Sequence, residues 1–383
     1  MDATARTRAG IATDLRELGL EDGALVMVHA SLRAVGPIDG RADGLIDAIL
    51  EVIGPGGTML MILGAHDPHA WVNERPEHER AGLLAATEPF DAASTPAAPD
   101  VGVLAEVFRR RPEVVVSDHP EARFAAAGRL AHELLDEVPW DDYFGPGSPL
   151  QRLVEAHGVV LRLGADLETV TALHYAEYLC ALTPKRRIRR HRRVRSSGGG
   201  SEVRVVECLD DEEGIVDYPG EDYFADLMRD YLTAGRARTG RVGAADSELL
   251  DAVDVVAFGV RWMNEHLAPR SWSVDPRQLV PRLDADLLAA RRRRATPEVA
   301  AIRSLKSALA NAEAVPVADG PFRLVEGSAD VPRRELGVAD IDAVIAREIG
   351  ERQRALDEYA ALGQPTAGLA AELATLERYR RTR

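Results

Sequence analysis

Three short apolar runs constrain this chain more than any other feature. They are "ALVMVHASL" (24–32), the "TMLMIL" that follows "GPGG" (58–63), and "GVVLRLG" (158–164). Each is too short for a core helix, is bounded by turn residues, and reads as a buried strand. Helical patterns lie around and between them: residues 8–20 ending at Gly19, "LIDAILEVI" (45–53), "DVGVLAEVFRRRP" (100–112) stopped by Pro112, and "TALHYAEYL" (171–179). This alternation of strand and helix predicts an α/β fold with a central β-sheet flanked by helices. No internal repeat interrupts it.

The 383 residues are long for one domain and comfortable for two. The character changes near Arg270. "PRSWSVDP" (269–276) reads as linker, and the rest is helical except for the loop "VPVADGPFRLVEGSADVPRREL" (315–336). The expected organisation is an α/β domain over 1–270, a linker over 271–281, and a small all-α domain over 282–383. Two cysteines, Cys180 and Cys208, supply neither a disulfide framework nor metal-ligand spacing. The N-terminal "MDATARTRAG" has no apolar core, and no apolar stretch is long enough to span a bilayer, so a cytoplasmic, membrane-free protein is expected. Oligomeric state is left open.

The net charge of −15 is unevenly distributed. From Pro276 onward there are 18 basic and 16 acidic residues, which leaves −17 on residues 1–275. Such a body repels nucleic acid and attracts cations, although acidity also serves plain solubility. Against this background "PKRRIRRHRRVR" (184–195) stands out, with eight Lys/Arg among residues 185–195. With the Gly turn and return strand that follow, it predicts an exposed basic hairpin, with a nucleic-acid arm as the sharper alternative. Residues 64–99 form a long connection with little regular pattern, which in a compact domain reads as a functional lid or as disorder.

Within "TALHYAEYL", Thr171, His174 and Glu177 recur at i, i+3 and i+6, on one side of the predicted helix beside an apolar stripe of Leu173, Ala176, Leu179 and Leu182. A histidine near a carboxylate is a workable general base; a structural histidine is the plainer reading. H-E-x-x-H is absent. "VHASL" puts His29 and Ser31 at the end of a buried strand, where α/β sheets bind ligands. Ser31 lacks a nucleophile-elbow context and suits phosphate binding better. "SDHP" places Ser117 and His119 in a loop. His66, His69 and His78 lack a spaced carboxylate set, so no metal is expected.

Together and in order, "LVMVHASLRAVG", "LIDAILEVIGPGGTMLM", "EPFDAASTPAAPDVGVLAEVFRRRP", "SDHPEARFAAAG", "GPGSPLQRL" and "GVVLRLGADLETVTALHYAE" resemble the aminoglycoside 3-N-acetyltransferase family of antibiotic-modifying, non-GNAT enzymes. The resemblance spans nearly all of residues 8–268. It implies the antibiotic N-acetyltransferase fold and acetyl transfer from acetyl-CoA to the 3-amino group of a 2-deoxystreptamine aminoglycoside, giving antibiotic resistance. It further implies His174 as general base, Glu177 orienting it, and Thr171 near the oxyanion. His29, Ser31 and Ser117 match positions near the CoA pyrophosphate and pantetheine. Because aminoglycosides are polycations, Glu88, Asp91, Asp166, Glu168 and Asp222 are candidate substrate carboxylates. The chain departs from the family pattern at Val116, where an arginine is usual, at Arg123, where a serine is usual, and at Arg162 in an otherwise apolar strand. All three lie toward the implied CoA side.

The tail, with "RSLKSALANAEA", "REIGERQRALDEYAALG" and "LAAELATLERY", resembles the GatB/YqeY-type helical domain. That likeness implies weak tRNA contact, with "RRRR" (291–294) as a phosphate-contacting patch, against a solvated helix face or dimerisation module. Two alternatives to the leading function stand: an acetyltransferase for a different amine, and a non-catalytic RNA-associated protein whose α/β body is a scaffold.

Overall fold

Hydrophobic strands without a polar face have to sit between two covering layers. In the computed structural model, residues 5–196, 200–218, 222–267, 279–314 and 334–380 are described, and they fall into two compact units divided after Leu267. Strands of the first unit are β1 (Leu25–Ala30), β2 (Thr58–Ile62), β3 (Val115–Val116), β4 (Phe124–Gly128), β5 (Val159–Leu163), β6 (Arg187–Arg195), β7 (Ser201–Leu209), β8 (Arg238–Val242) and β9 (Ala245–Asp251). Seven form one sheet in the order β3-β4-β2-β1-β5-β9-β8. The central β2-β1-β5 pairs are parallel and the outer pairs antiparallel. β1, β2 and β5 are the three apolar runs. On one face Val26, Val28, Met59, Met61, Leu161 and Leu163 join Ile11, Leu15, Leu45, Ile49 and Phe108 from flanking helices in one core.

β4 was not legible in the sequence, because "FAAAG" has the low strand propensity of alanine. Pairing with β2 creates it, from Thr58 opposite Gly128 to Ile62 opposite Phe124. Gly128 ends the strand at φ 122°, where a Cβ would lie 2.2 Å from the Gly57 carbonyl, so a larger residue does not fit.

β6 and β7 form the expected hairpin, but it is only partly exposed: Arg187, Arg189 and Arg195 are exposed, whereas Arg190, His191 and Arg192 are buried. Arg190 pairs with Asp211 at 2.7 Å and Glu212 at 2.9 Å, and Arg192 pairs with Asp67 and Glu121. Arg187 meets Asp142 and Glu207, Arg189 meets Glu77, and Arg195 meets Asp91. Arg193 donates to the carbonyls of Leu84, Ala85 and Thr87. The basic run is thus neutralised by the chain's own acids and carbonyls, which removes the basis for a nucleic-acid arm.

These contacts also hold down the long connection. It contains a 3-10 turn over Ala70–Glu74 and a helix over Glu77–Leu84. Phe90 N–H donates to the Arg193 carbonyl at 2.8 Å, and the Asn73 side chain brackets the His191 backbone. From the other side Arg123, fully buried, donates to the carbonyls of Thr95 at 2.7 Å and Pro96 at 2.6 Å.

The second unit contains helices over Leu279–Arg292, Thr296–Ala312, Val338–Ala361 and Ala367–Glu377. Leu283, Ile302, Leu305, Ile345, Leu376 and Tyr379 are in its core. In "RRRR", Arg293 pairs with Glu298 at 2.9 Å, whereas Arg291, Arg292 and Arg294 are exposed. The expected linker lies outside the described residues as far as position 278, as does most of the loop at 315–336. No described helix is long and apolar enough to cross a membrane.

Arg192 is the only cation within pairing distance of both Asp67 and Glu121 among the described residues. Breaking a buried pair costs about 3–5 kcal/mol because a charge is left uncompensated. Arg192→Met is therefore expected to lower unfolding free energy by about 3 kcal/mol or more, read from urea denaturation.

Candidate active site

The chain leaves the C-terminal end of β5, passes a 3-10 turn over Leu167–Thr169, and enters a short helix, Leu173–Leu179. This helix is shorter than the sequence predicts. Thr171 lies in the turn before it, so the trio does not share one helix. Leu179, expected in the apolar stripe, is 48% exposed. His174 and Glu177 are on the helix, three residues apart. His174 Nδ1 is 2.7 Å from Glu177 Oε2. Glu177 is buried rather than bordering the core, whereas the His174 side chain keeps 20% of its surface exposed.

A buried carboxylate needs partners on both oxygens. The second oxygen of Glu177 accepts from the hydroxyl of Tyr223, which in turn accepts from the Ile215 N–H at 3.3 Å. Tyr223 opens the helix Tyr223–Thr233, whose start is fixed by Asp222: its Oδ1 accepts from Phe224 N–H at 2.7 Å and Ala225 N–H at 3.1 Å. Phe224 then packs edge-on to the His174 ring at 4.9 Å between centroids, while Phe144 stacks on it at 5.0 Å and 12°. Tyr223, Phe144 and Phe224 were missed in the sequence. Tyr223 is 46 residues from Glu177, and no periodicity links them.

Burial pulls the His174 pKa down, but the charge and hydrogen bond of Glu177, helped by Asp211 and Asp222, outweigh it, so the net direction is up. With Nδ1 engaged, Nε2 has no hydrogen bond among the described residues and is the nitrogen left to exchange a proton with a ligand. His29, on β1, is the reverse case: burial and the neighbouring Arg162 push it down to about 4, so it is neutral. Its Nε2 is buried with no partner among the described residues. Arg162, the departure in β5, spans to β9 and pairs with Glu248 at 2.7 Å.

The other predicted residues are dispersed. Ser31 caps the four-residue helix Leu32–Val35, its Oγ accepting from Ala34 N–H at 3.3 Å. Ser117 is buried, donating to the Ala122 carbonyl at 2.7 Å and accepting from Phe124 N–H at 2.8 Å, so its hydroxyl shapes a turn. Thr171 Oγ1 makes a 3.4 Å contact to the Thr169 carbonyl. Asp166 and Glu168 are exposed around the 3-10 turn ahead of the His174 helix. Glu88 and Asp91 line a cleft of about 290 Å³ between the long connection and the hairpin, with His66, His69, Thr95 and Arg192. His174 is not among its lining residues. Asp91 is occupied, by Ala93 and Ser94 N–H groups and by Arg195 at 3.0 Å; Glu88 is exposed. Among the described residues no group of three or more His, Cys, Asp or Glu converges on a metal position.

The first unit is thus a mixed sheet flanked by helices, with the His174–Glu177 pair on the helix that follows β5. The family model for aminoglycoside 3-N-acetyltransferases matches residues 27–264. Aminoglycoside N(3)-acetyltransferase VII of Streptomyces paromomycinus is 41% identical over 267 residues, covering 68% of this chain and 92% of the relative. Among solved structures, AAC-IIIb in binary complex with CoASH superposes with a TM-score of 0.65 at 37% identity, covering 68% of this chain and 97% of that one. Sisomicin-bound AAC-VIa does so with a TM-score of 0.64 at 33% identity, covering 68% and 99%. The chain belongs to the aminoglycoside 3-N-acetyltransferase family and is an acyltransferase by that membership.

Since Glu177 is what holds the His174 pKa up against burial, Glu177→Gln is expected to lower it. The titration midpoint of the His174 ring, followed by NMR of ¹⁵N-histidine-labelled protein, should fall below that of the wild type. An unmoved midpoint would mean that the pair is not electrostatically coupled.

Proposed function

We propose that this chain transfers acetyl from acetyl-CoA to the 3-amino group of a 2-deoxystreptamine aminoglycoside, with His174 as general base. The observation that carries the reading is the 2.7 Å contact between His174 Nδ1 and a buried Glu177, which leaves Nε2 for the substrate. In this mechanism Nε2 takes the proton from the attacking amine, directly or through one water, as nitrogen adds to the thioester carbonyl. Collapse of the tetrahedral intermediate expels CoA thiolate, and the amide forms without an acyl-enzyme. Glu177 keeps the ring oriented and stabilises the imidazolium that forms. Thr171 lies two residues before Leu173, where the helix begins; its hydroxyl is the side-chain donor assigned to the developing oxyanion.

The donor substrate is expected toward the C-terminal ends of β1 and β5, where parallel strands open to ligands. His29, on β1, has a buried Nε2 to spare; Ser31, just after β1, accepts from Ala34 N–H and keeps its hydroxyl hydrogen to donate, whereas the Ser117 hydroxyl, after β3, already serves a turn. The acceptor is cationic. Among the cleft carboxylates Asp67 and Asp91 are paired with arginines, which leaves Glu88 as the one suited to an ammonium group. Asp166, Glu168 and the outer oxygen of Asp222 add negative potential near the helix bearing His174.

Two experiments test this. His174→Ala is expected to lower turnover by about 10²- to 10⁴-fold in a thiol-release assay with acetyl-CoA and a panel of gentamicin, kanamycin and apramycin. A rate equal to wild type would remove His174 from the mechanism. Glu88→Gln should raise KM for the aminoglycoside by about tenfold while leaving KM for acetyl-CoA unchanged, the mark of a lost ammonium contact.

A further inference from the structure

Glu177 is a carboxylate with only 2% of its side chain exposed, and two side chains face it. His174 Nδ1 meets Oε2, and the Tyr223 hydroxyl donates to Oε1. The direction of the second bond is set from outside. The Ile215 N–H can only donate, and it points at the Tyr223 oxygen at 3.3 Å. The single phenolic hydrogen therefore turns to Glu177, which must accept it. A carboxylate that accepts at one oxygen from Tyr223 is poised to accept at the other from His174 Nδ1–H, and the imidazole lone pair is then at Nε2.

The hydroxyl is more than an alignment device. Deprived of it, a buried carboxylate would hold its charge with one donor alone, an unfavourable state. The pair has two ways out. The imidazole can keep an extra proton, or Glu177 can take one and donate it to Nδ1, which places the ring hydrogen on Nε2. Both remove the Nε2 lone pair. The other charged groups acting on the ring are Asp211, in the segment after β7, and Asp222, at the cap of the Tyr223 helix; both favour the protonated ring. Phe144 and Phe224, the rings packed on His174, bring no charge. Cys180 donates to the Glu177 backbone carbonyl at 3.3 Å and does not relieve the carboxylate. Beside burial of the ring itself, Tyr223 is thus the side chain among the described residues whose contact with Glu177 opposes protonation of the pair.

We propose that Tyr223 is a positioning residue for the reaction, keeping Glu177 an ionised acceptor so that His174 presents a free Nε2 to the substrate amine. The inference rests on the reading of His174 as the base. It is distinct from an orienting role of Glu177, because it assigns the protonation state of the pair to a residue from another helix and, through Ile215, to the backbone of the acidic segment that follows β7.

Tyr223→Phe keeps the ring that packs edge-on against Tyr218 and Phe224 and removes only the hydroxyl. The expected result is an acid limb of the kcat profile displaced to higher pH by about one unit. The rate near pH 7 should fall about five- to tenfold and largely recover on the alkaline plateau. A loss of equal size at every pH, with the limb unmoved, would indicate mere structural damage and overturn the proposal. The His174 titration midpoint by ¹⁵N NMR gives a readout independent of turnover and should rise in the same variant.

A double-mutant cycle guards against altered folding. In a Glu177→Gln background there is no carboxylate to keep ionised, so adding Tyr223→Phe should leave the His174 midpoint where Glu177→Gln put it. A shift that persists in that background would mean that Tyr223 acts by another route, and the proposal would fall. Failure of the base reading looks different: His174→Ala would then retain full turnover, whatever the titration of the ring shows in the Tyr223 variant.

Discussion

The site depends on one buried carboxylate. Glu177 is removed from water, and a charge in that position is tolerable only when its oxygens are met by donors. Two side chains meet them, His174 one turn earlier and Tyr223 on a later helix, and the amide of Ile215 in turn donates to the Tyr223 oxygen. Satisfying Glu177 thus joins the helix that follows β5 to the helix and segment that follow the hairpin. Asp222 caps the helix that delivers Tyr223 and Phe224, so an acid one position upstream sets the placement of both rings at the site.

A second electrostatic constraint shapes the surroundings. β6 carries more arginine than any other segment, and an isolated strand of that kind would repel itself. Asp67, Glu77, Glu121, Asp142, Asp211 and Glu212 neutralise it from both flanking regions. The same pairs tie the long connection to the hairpin and enclose the cleft in which Glu88 stands. The acidity of the first unit therefore has two uses. Part of it is internal, absorbed by β6 and its neighbours, and part is presented outward at Glu88, Asp166 and Glu168. A net charge does not distinguish the two.

Legibility differed by residue for definite reasons. β1, β2 and β5 were plain because apolar runs of that length are readily read as strands in this context. β4 was hidden in an alanine segment that becomes a strand only beside β2. The dyad of His174 and Glu177 could be read from a three-residue spacing, but Thr171 fell off the helix because the helix begins at Leu173. Ser31 and Ser117 stand out in the sequence for their hydroxyls, and only the fold shows what those hydroxyls are bonded to. Arg123, noticed as a departure, is the anchor of Thr95 and Pro96.

Periodicity, apolar runs and the ordered motifs were enough by themselves to indicate the α/β class, the family resemblance, a helical tail and the placement of His174 and Glu177 on one side of a helix. These depend on neighbours within a few residues, or on whole segments, and both are written along the chain. Tertiary structure alone decided which acids pair with the arginines of β6, that the hairpin packs inward, and that Tyr223 and Ile215 stand behind Glu177. Those outcomes turn on desolvation: a buried charge takes whichever partner the packed chain brings within hydrogen-bond reach, and sequence separation carries no record of that choice.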